Sequence, residues 1–224
     1  MRTAVYMGTK NLYEDMVTAA KSLLINSNVE KIYFLIEDDK FPYIVPSCIE
    51  CINVKNQMYF SSLSPNANSR WTYMVLMKTV LHRMFPELDK ILVLDVDTIV
   101  DKDISDLWDI DISNYYLAGA SEPNKSKGSI YINTGVMMLN LHKLRDGKGD
   151  KIIKDLNTVW YEFPEQDCIN KLCKDGIMEI PSDYNANNYT SPTKNPKIHH
   201  FAATKNWQRN PLVKKYQAIN YQSN

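Results

Sequence analysis

Ile91-Leu92-Val93-Leu94-Asp95-Val96-Asp97 decides how this chain is read. Four consecutive apolar residues between Lys90 and an acidic pair have the pattern of a short buried strand. Just past the end of that strand, two carboxylates one residue apart can reach the same hard divalent cation. Such ions take oxygen ligands and commonly bridge to phosphates. A nucleotide diphosphate is the ligand this arrangement suits best.

Working outward, the flanking segments alternate between strand and helix patterns. Residues 3–7 read as a first strand, followed by the turn Gly8-Thr9-Lys10-Asn11 and a helix over 12–25. Ala19, Ala20, Leu23 and Leu24 form its buried side. Residues 31–36 read as a second strand, ending at Glu37-Asp38-Asp39, and 49–54 as a third. A polar loop over 61–69 leads into a helix over 71–84, then Pro86 and the strand that ends at Asp95. Beyond it, 117–120, 130–139, 177–180 and 198–201 have strand character, and 150–160 and 165–173 helix character. The alternation predicts an α/β fold with a mainly parallel sheet and helices on both faces. Ligands of such sheets bind beyond the carboxyl ends of the strands, so the Gly8 turn and Asp95-Val96-Asp97 are expected to share a crevice.

Composition bounds the rest. With 224 residues and 44% apolar content the chain suits one domain. Equal numbers of acidic and basic residues give no net field toward nucleic acid or anionic membrane. No stretch approaches the roughly 20 apolar residues of a membrane span. The start, Met1-Arg2-Thr3-Ala4-Val5-Tyr6-Met7, reads as a strand and not a signal peptide, and a cytoplasmic protein is expected. Cys48 and Cys51 form a CxxC, with Cys168 and Cys173 further on, which allows a zinc reading. On a helix, however, side chains five positions apart point about 140° apart. Reduced, partly buried thiols are the expectation.

Three functional readings compete for Asp95 to Asp103. A helix-loop-helix calcium loop needs alternating oxygen ligands and a glycine at its sharp turn. Ile99-Val100 stands there instead. A haloacid-dehalogenase-like phosphatase also carries Asp-x-Asp after an apolar strand, with Asp95 as nucleophile and Asp97 as acid/base. That family has Thr or Val where this chain has Ile99, and it begins near its motif, whereas some ninety residues precede it here. A metal-dependent sugar-nucleotide transferase is the third.

Four segments in order favour the third reading. Leu88 to Val100 followed by Leu107-Trp108, Tyr131-Ile132-Asn133-Thr134-Gly135-Val136-Met137-Met138-Leu139-Asn140-Leu141, Glu165-Gln166-Asp167, and Ile198-His199-His200-Phe201 through Lys205-Asn206-Trp207 resemble glycosyltransferase family 8. These are the glycogenin-like and bacterial lipopolysaccharide galactosyl- and glucosyltransferases. The resemblance runs from about residue 3 to residue 207 and implies a GT-A-like (Rossmann-like) fold over 1–224, with a nucleotide-binding half over 1–100 and a donor-sugar and acceptor half over 101–224. The activity it implies is retaining transfer of a hexose from a UDP-sugar to a glycan or protein acceptor. Residue by residue, it implies that Asp95, Asp97 and His200 hold Mn²⁺ or Mg²⁺, the imidazole favouring manganese. His199 points to the opposite face of its strand. Lys205 would contact the diphosphate as a point charge. Met7 and Thr9 would meet the uracil, Asn11 the ribose or phosphate, and Tyr13 would lie near the base, with Gly8 allowing close approach. Lys78 and Glu122 would bind the donor sugar over a floor of Asn133, Thr134 and Gly135. Gln166, beneath the anomeric carbon, and the adjacent Glu165 are the catalytic candidates.

The chain departs from the family pattern in five places. Lys78 replaces an arginine, Glu122 an aspartate and Ala203 a glycine; the loop from His200 to Lys205 and the segment from Glu122 to Tyr131 are both short. These changes bear on which sugar is used and on how open the acceptor side is. A catalytically silent sugar-nucleotide-binding module is the remaining alternative.

Overall fold

A computed structural model describes residues 1–69, 71–126 and 128–220. Nine strands are assigned among them: β1 (Thr3–Met7), β2 (Lys31–Ile36), β3 (Ile49–Asn53), β4 (Lys90–Leu94), β5 (Thr98–Val100), β6 (Leu117–Ser121), β7 (Ile132–Asn140), β8 (Ile177–Glu179) and β9 (Ile198–His200). Six α-helices accompany them: α1 (Tyr13–Ile25), α2 (Leu81–Met84), α3 (Leu141–Leu144), α4 (Lys148–Thr158), α5 (Pro164–Cys173) and α6 (Pro211–Gln217). Seven strands form one sheet in the order β3-β2-β1-β4-β7-β6-β8. Four of its six pairings are parallel; β7 runs antiparallel to both of its neighbours, β4 and β6. The mainly parallel sheet expected from the sequence is therefore present, with one reversed strand through its middle.

The apolar side chains segregate onto the two faces of this sheet. Val5, Leu35, Val93 and Met137 point to one face, where Leu81, Ile152, Leu156 and Cys168 cover them. Ala4, Phe34, Leu92 and Met138 point to the other, against Met16, Ala20, Leu23, Leu107 and Trp108. This alternation follows from the period of two in a strand, and β1 and β4, apolar on both faces, take the centre of the sheet. Of the expected buried side of α1, Ala19, Ala20 and Leu23 are enclosed, while Leu24 is only half-buried.

Two differences from the sequence reading matter for the site. The segment expected as one helix over 71–84 winds as a 3₁₀ helix from Tyr73–Val80 and becomes α-helical only over Leu81–Met84. Its entry residue Thr72 has φ 60°, and the Thr72 side chain accepts from the Met74 amide. Positions three apart eclipse in a 3₁₀ helix. Val75, Lys78 and Leu81 thus share a line, as do Met74, Met77 and Val80. The second difference is β5, a strand that the sequence pattern does not announce. It pairs antiparallel with β9, Thr98 opposite His200 and Ile99 opposite His199, in a two-stranded ribbon beside the main sheet.

The four cysteines are free, and none joins a cluster of three or more metal-ligating side chains among the described residues. Burial pushes the thiols of Cys168 and Cys173 up to about 12.

Candidate active site

The site begins where β4 ends. The parallel register of β1 and β4, with Val5 opposite Val93, brings Met7 and the Gly8 turn alongside Asp95. The Asp95 amide donates to the carbonyl of Gly135 on β7 (2.8 Å), and Thr98 turns the chain back by donating its hydroxyl to the Asp95 carbonyl (2.7 Å). The ribbon then delivers the third residue. With Thr98 paired to His200 and the Phe201 amide on the Asp97 carbonyl (2.9 Å), His200 is held across from the acidic pair. Its Nε2 lies 3.3 Å from Asp97 and 3.9 Å from Asp95. His199, its strand neighbour, faces away.

One ligand atom from each of Asp95, Asp97 and His200 lies within 4.8 Å of the other two. No other group of three or more histidine, cysteine or acidic side chains meets that condition among the described residues. Two carboxylate oxygens and an imidazole nitrogen are a donor set for a divalent ion of the manganese or magnesium type. The charges present favour it: burial opposes ionisation of Asp97, but His200 outweighs this and holds the carboxyl below its usual range. Burial likewise opposes the imidazolium of His200, yet Asp97 and Asp95 raise its pKa. A proton on Nε2 thus occupies the position a metal ion would take.

These three residues line one wall of a cavity of about 380 Å³. Lys78 lines another, enclosed to 1% exposure, with Nζ 2.6 Å from Asp95 and 3.3 Å from Glu165. It also donates to the Thr134 carbonyl (3.3 Å). Burial alone would lower its pKa, but the two carboxylates reverse the sign and keep it a cation. The floor is made by Asn133, Thr134 and Gly135 from β7 and by Glu165 and Gln166 from the first turn of α5. Pro164 starts that helix, where its missing N–H costs nothing. Gln166 accepts from the Thr134 amide (3.1 Å) and donates to Glu122 (3.3 Å) and to the Tyr131 hydroxyl (3.2 Å). Glu165 accepts from the Thr134 hydroxyl (3.2 Å) besides Lys78. Gly135 has no room for a side chain, since a Cβ would sit 2.1 Å from the His200 ring. Trp71, Phe163 and Tyr189, none of them fully buried, complete the aromatic part of the lining.

The residues expected around the nucleotide lie outside this cavity, at the end of β1 and beyond β9. Met7 is buried, Thr9 half-buried and Asn11 exposed, the last two joined by a hydrogen bond from Thr9 Oγ1 to Asn11 Oδ1 (2.6 Å). Gly8 lets α1 pack close, a Cβ there meeting Leu12 at 3.2 Å and Met16 at 3.0 Å. Tyr13 is enclosed, its hydroxyl donating to Asp38 (3.0 Å) and accepting from the Glu37 amide (2.9 Å). It secures the acidic turn after β2. Lys205 is exposed on the loop after β9; Ala202 and Ala203 of that loop line the cavity. Ala203 adopts φ 54°, the left-handed backbone that a glycine would take without strain.

Three contributors go beyond the roles the sequence assigns. Tyr131 bridges Gln166 and Asp167 through its hydroxyl. Asn185 and Asn187 come from the segment before β9 and pack against His200. A buried asparagine in an irregular segment belongs to no periodic pattern, so nothing local distinguishes it from a turn residue.

The model of glycosyl transferase family 8 matches residues 4–211. This chain belongs to that family. Glycosyltransferase GlyE of Streptococcus pneumoniae serotype 4 is 28% identical over 199 residues, which are 82% of this chain and 47% of that protein. Lipopolysaccharide 1,2-glucosyltransferase of Escherichia coli K12 is 29% identical over 164 residues, 58% of this chain and 48% of that protein. The family 8 chain thus spans about half the length of these curated relatives. Among solved structures, galactosyltransferase LgtC in complex with donor and acceptor sugar analogs superposes with a TM-score of 0.74 at 18% identity, covering 99% of this chain and 97% of that one. The crystal structure of GlyE from Streptococcus pneumoniae TIGR4 gives 0.72 at 23%, covering 98% and 60%. The fold is accordingly GT-A. Family membership displaces the haloacid-dehalogenase-like reading of Asp95 and Asp97.

Proposed function

We propose that this family 8 chain is a metal-dependent, retaining hexosyltransferase that takes its sugar from a UDP-sugar. The observation that carries the reading is the convergence of Asp95, Asp97 and His200, from β4 and the β5–β9 ribbon, on the wall of a cavity floored by Glu165 and Gln166. Asp95, Asp97 and His200 would hold Mn²⁺ or Mg²⁺. When bound there, the ion supplies Lewis-acid stabilisation of the charge that develops on the departing diphosphate.

The chain's own residues have distinct tasks. Lys205 adds a positive point charge on the diphosphate side, and the Gly8 turn with Met7, Thr9 and Asn11 receives the nucleoside. Glu122 and Lys78 flank the donor sugar above Asn133, Thr134 and Gly135. Retention by a covalent route needs a carboxylate free to attack the anomeric carbon. Glu165 is engaged by Lys78 and Thr134, which ties its charge away from such attack, and Gln166 is an amide. Front-face attack by the acceptor hydroxyl fits this floor better, with Gln166 orienting the sugar and stabilising positive charge at the anomeric centre. The acceptor is a glycan or protein hydroxyl. Four free thiols accord with a cytoplasmic location.

Thermal melting with UDP, GDP and UDP-sugars, with and without Mn²⁺, tests the donor class, because a ligand of the native state raises Tm by mass action. Stabilisation by UDP only in the presence of Mn²⁺ is expected. Stabilisation without turnover of any UDP-sugar would instead identify a silent binding module. The catalytic assignment fails if Gln166→Ala retains full activity while Glu165→Gln abolishes it.

A further inference from the structure

A histidine presents a lone pair on Nε2 only if its other nitrogen carries the proton, and the surroundings of His200 decide which one does. The decision can be traced from groups whose polarity is unambiguous. The Gly135 amide is a backbone donor, and it points at the side-chain oxygen of Asn133 (3.0 Å). The other end of the Asn133 amide faces the Glu122 carboxylate at 2.7 Å, which can only accept. Asn133 is therefore oriented at both ends, oxygen toward Gly135 and nitrogen toward Glu122.

That orientation propagates. The Asn133 oxygen also meets the Asn185 side chain at 3.0 Å, so the atom of Asn185 turned toward it is Nδ2. The Asn185 oxygen is left facing His200 Nδ1 at 2.8 Å. Asn187 reinforces the choice by donating to the same oxygen (3.0 Å) and to the Asn185 carbonyl (3.1 Å). Its nitrogen lies at 3.4 Å from His200 Nδ1, too long to compete. Asn185 is fully enclosed, so water cannot substitute for it.

We infer that Asn185 is the positioning residue that fixes His200 as the Nδ1–H tautomer and aims Nε2 at Asp95 and Asp97. It also joins the cation-binding wall to the sugar side, through Asn133 and Glu122 to Gln166. The inference rests on the metal assignment above, but its first test does not.

In the metal-free protein Asp97 competes for the ring proton from 3.3 Å beyond Nε2, against the Asn185 oxygen at 2.8 Å from Nδ1. With ¹⁵N-labelled histidine at alkaline pH, the ring couplings of wild type should place the proton mainly on Nδ1, and Asn185→Leu should move it to Nε2. A proton mainly on Nε2 in wild type overturns the inference. A second test reads Mn²⁺ affinity directly by the loss of the free-ion EPR signal. Asn185→Leu keeps the branched shape and the number of heavy atoms and removes both polar ends. It should weaken Mn²⁺ binding by about 10–100-fold, the range for loss of a metal-ligand's hydrogen-bond partner. Asn185→Asp restores an acceptor opposite Nδ1 and should recover most of that loss, although it sets an oxygen against Asn133. Equal Mn²⁺ affinity in wild type and a folded Asn185→Leu protein sinks the positioning role. Absence of Mn²⁺ binding by wild type, with the Nδ1–H pattern present, sinks the metal assignment and leaves the tautomer argument standing. Should Asn185→Leu not fold, the tautomer measurement and the Asn185→Asp titration still decide.

Discussion

Lys78 is the residue on which the electrostatics of the cavity turn. It is a buried cation between two carboxylates, one of them a proposed metal ligand. Removing one member of such a set leaves uncompensated charge and typically costs about 3–5 kcal/mol. Lys78→Met should fall at the lower end, about 3 kcal/mol by urea unfolding, because the Asp95 side chain keeps 30% of its surface in solvent. The same substitution should make stability more dependent on Mn²⁺, since Asp95 then lacks its alternative cation. Gly135 makes a steric counterpart. In Gly135→Ala the new methyl group has to displace the His200 ring, with a destabilisation on the order of 1–3 kcal/mol. Loss of the Mn²⁺-induced rise in Tm should accompany it; an unchanged rise would show that the ring has somewhere else to go. Lys78 also shows why the departures from the family pattern are not neutral. An arginine fork could engage both carboxylates in a bidentate manner, whereas the ammonium serves Asp95 at 2.6 Å and Glu165 only at 3.3 Å.

Among the elements, the β5–β9 ribbon has more influence on the site than its three-residue strands suggest. Its outer face is covered by α6: Ile99 is fully buried against Val213 and Tyr216, and the Tyr216 hydroxyl sits between Asp101 (3.1 Å) and Asn26 (2.8 Å). This small third cluster fixes the ribbon from behind, so that His200 meets Asp97 from the front. Ile99→Ala should cost about 2–5 kcal/mol, as for other buried aliphatic truncations. Because Ile99 points away from the cavity, a simultaneous fall in Mn²⁺ affinity would establish that the ribbon's packing sets the ligand geometry; denaturant titration and metal titration of the same variant separate the two effects. The sequence made Asp95 and Asp97 legible, since a run of four apolar residues ending in two acids has few other readings. It could not show the ribbon. A three-residue strand such as Thr98–Val100 carries too little alternation to register, and its partner lies about a hundred positions away. In the sequence only the family resemblance points to His200, and only the ribbon supplies the physical reason it belongs with the acidic pair. The 3₁₀ winding of Tyr73–Val80 is hidden for a related cause: with Tyr73, Met74, Val75, Leu76, Met77 and Val80 all apolar or aromatic, the segment is too uniform for either period to stand out.

Across the whole molecule, the buried histidines make stability depend on pH in opposing directions. Burial lowers the pKa of His82 and of His199, so the fold favours their neutral forms. As pH falls below the ordinary histidine value of about 6.5, the unfolded chain takes up these protons first and stability is lost. His200 behaves in the opposite sense. Asp97 and Asp95 raise its pKa, so its contribution is complete below about 6.5 and disappears as pH rises through the raised value. Further down, Asp97, Asp101, Asp106 and Asp150 have pKa values lowered by His200, Lys215, Lys197 and Arg83 respectively, and their stabilisation is lost as pH drops through the carboxylate range. The metal-free protein should therefore lose stability on acidification in two stages, a shallow one set by histidines and a steep one set by carboxylates. His82 allows the first stage to be isolated. It lies against Gly149 with no room for a methyl group between them, and its Nε2 lies 3.3 Å from Asp150. His82→Leu removes the titrating group together with that one polar contact, so Tm near neutrality should fall only slightly. Melting curves across the acid range should then show a flattened upper stage and an intact lower one. If the upper stage persists undiminished in His82→Leu, the dependence resides in His199, on the ribbon, and acid is loosening the metal-binding wall instead of the helical layer over the sheet.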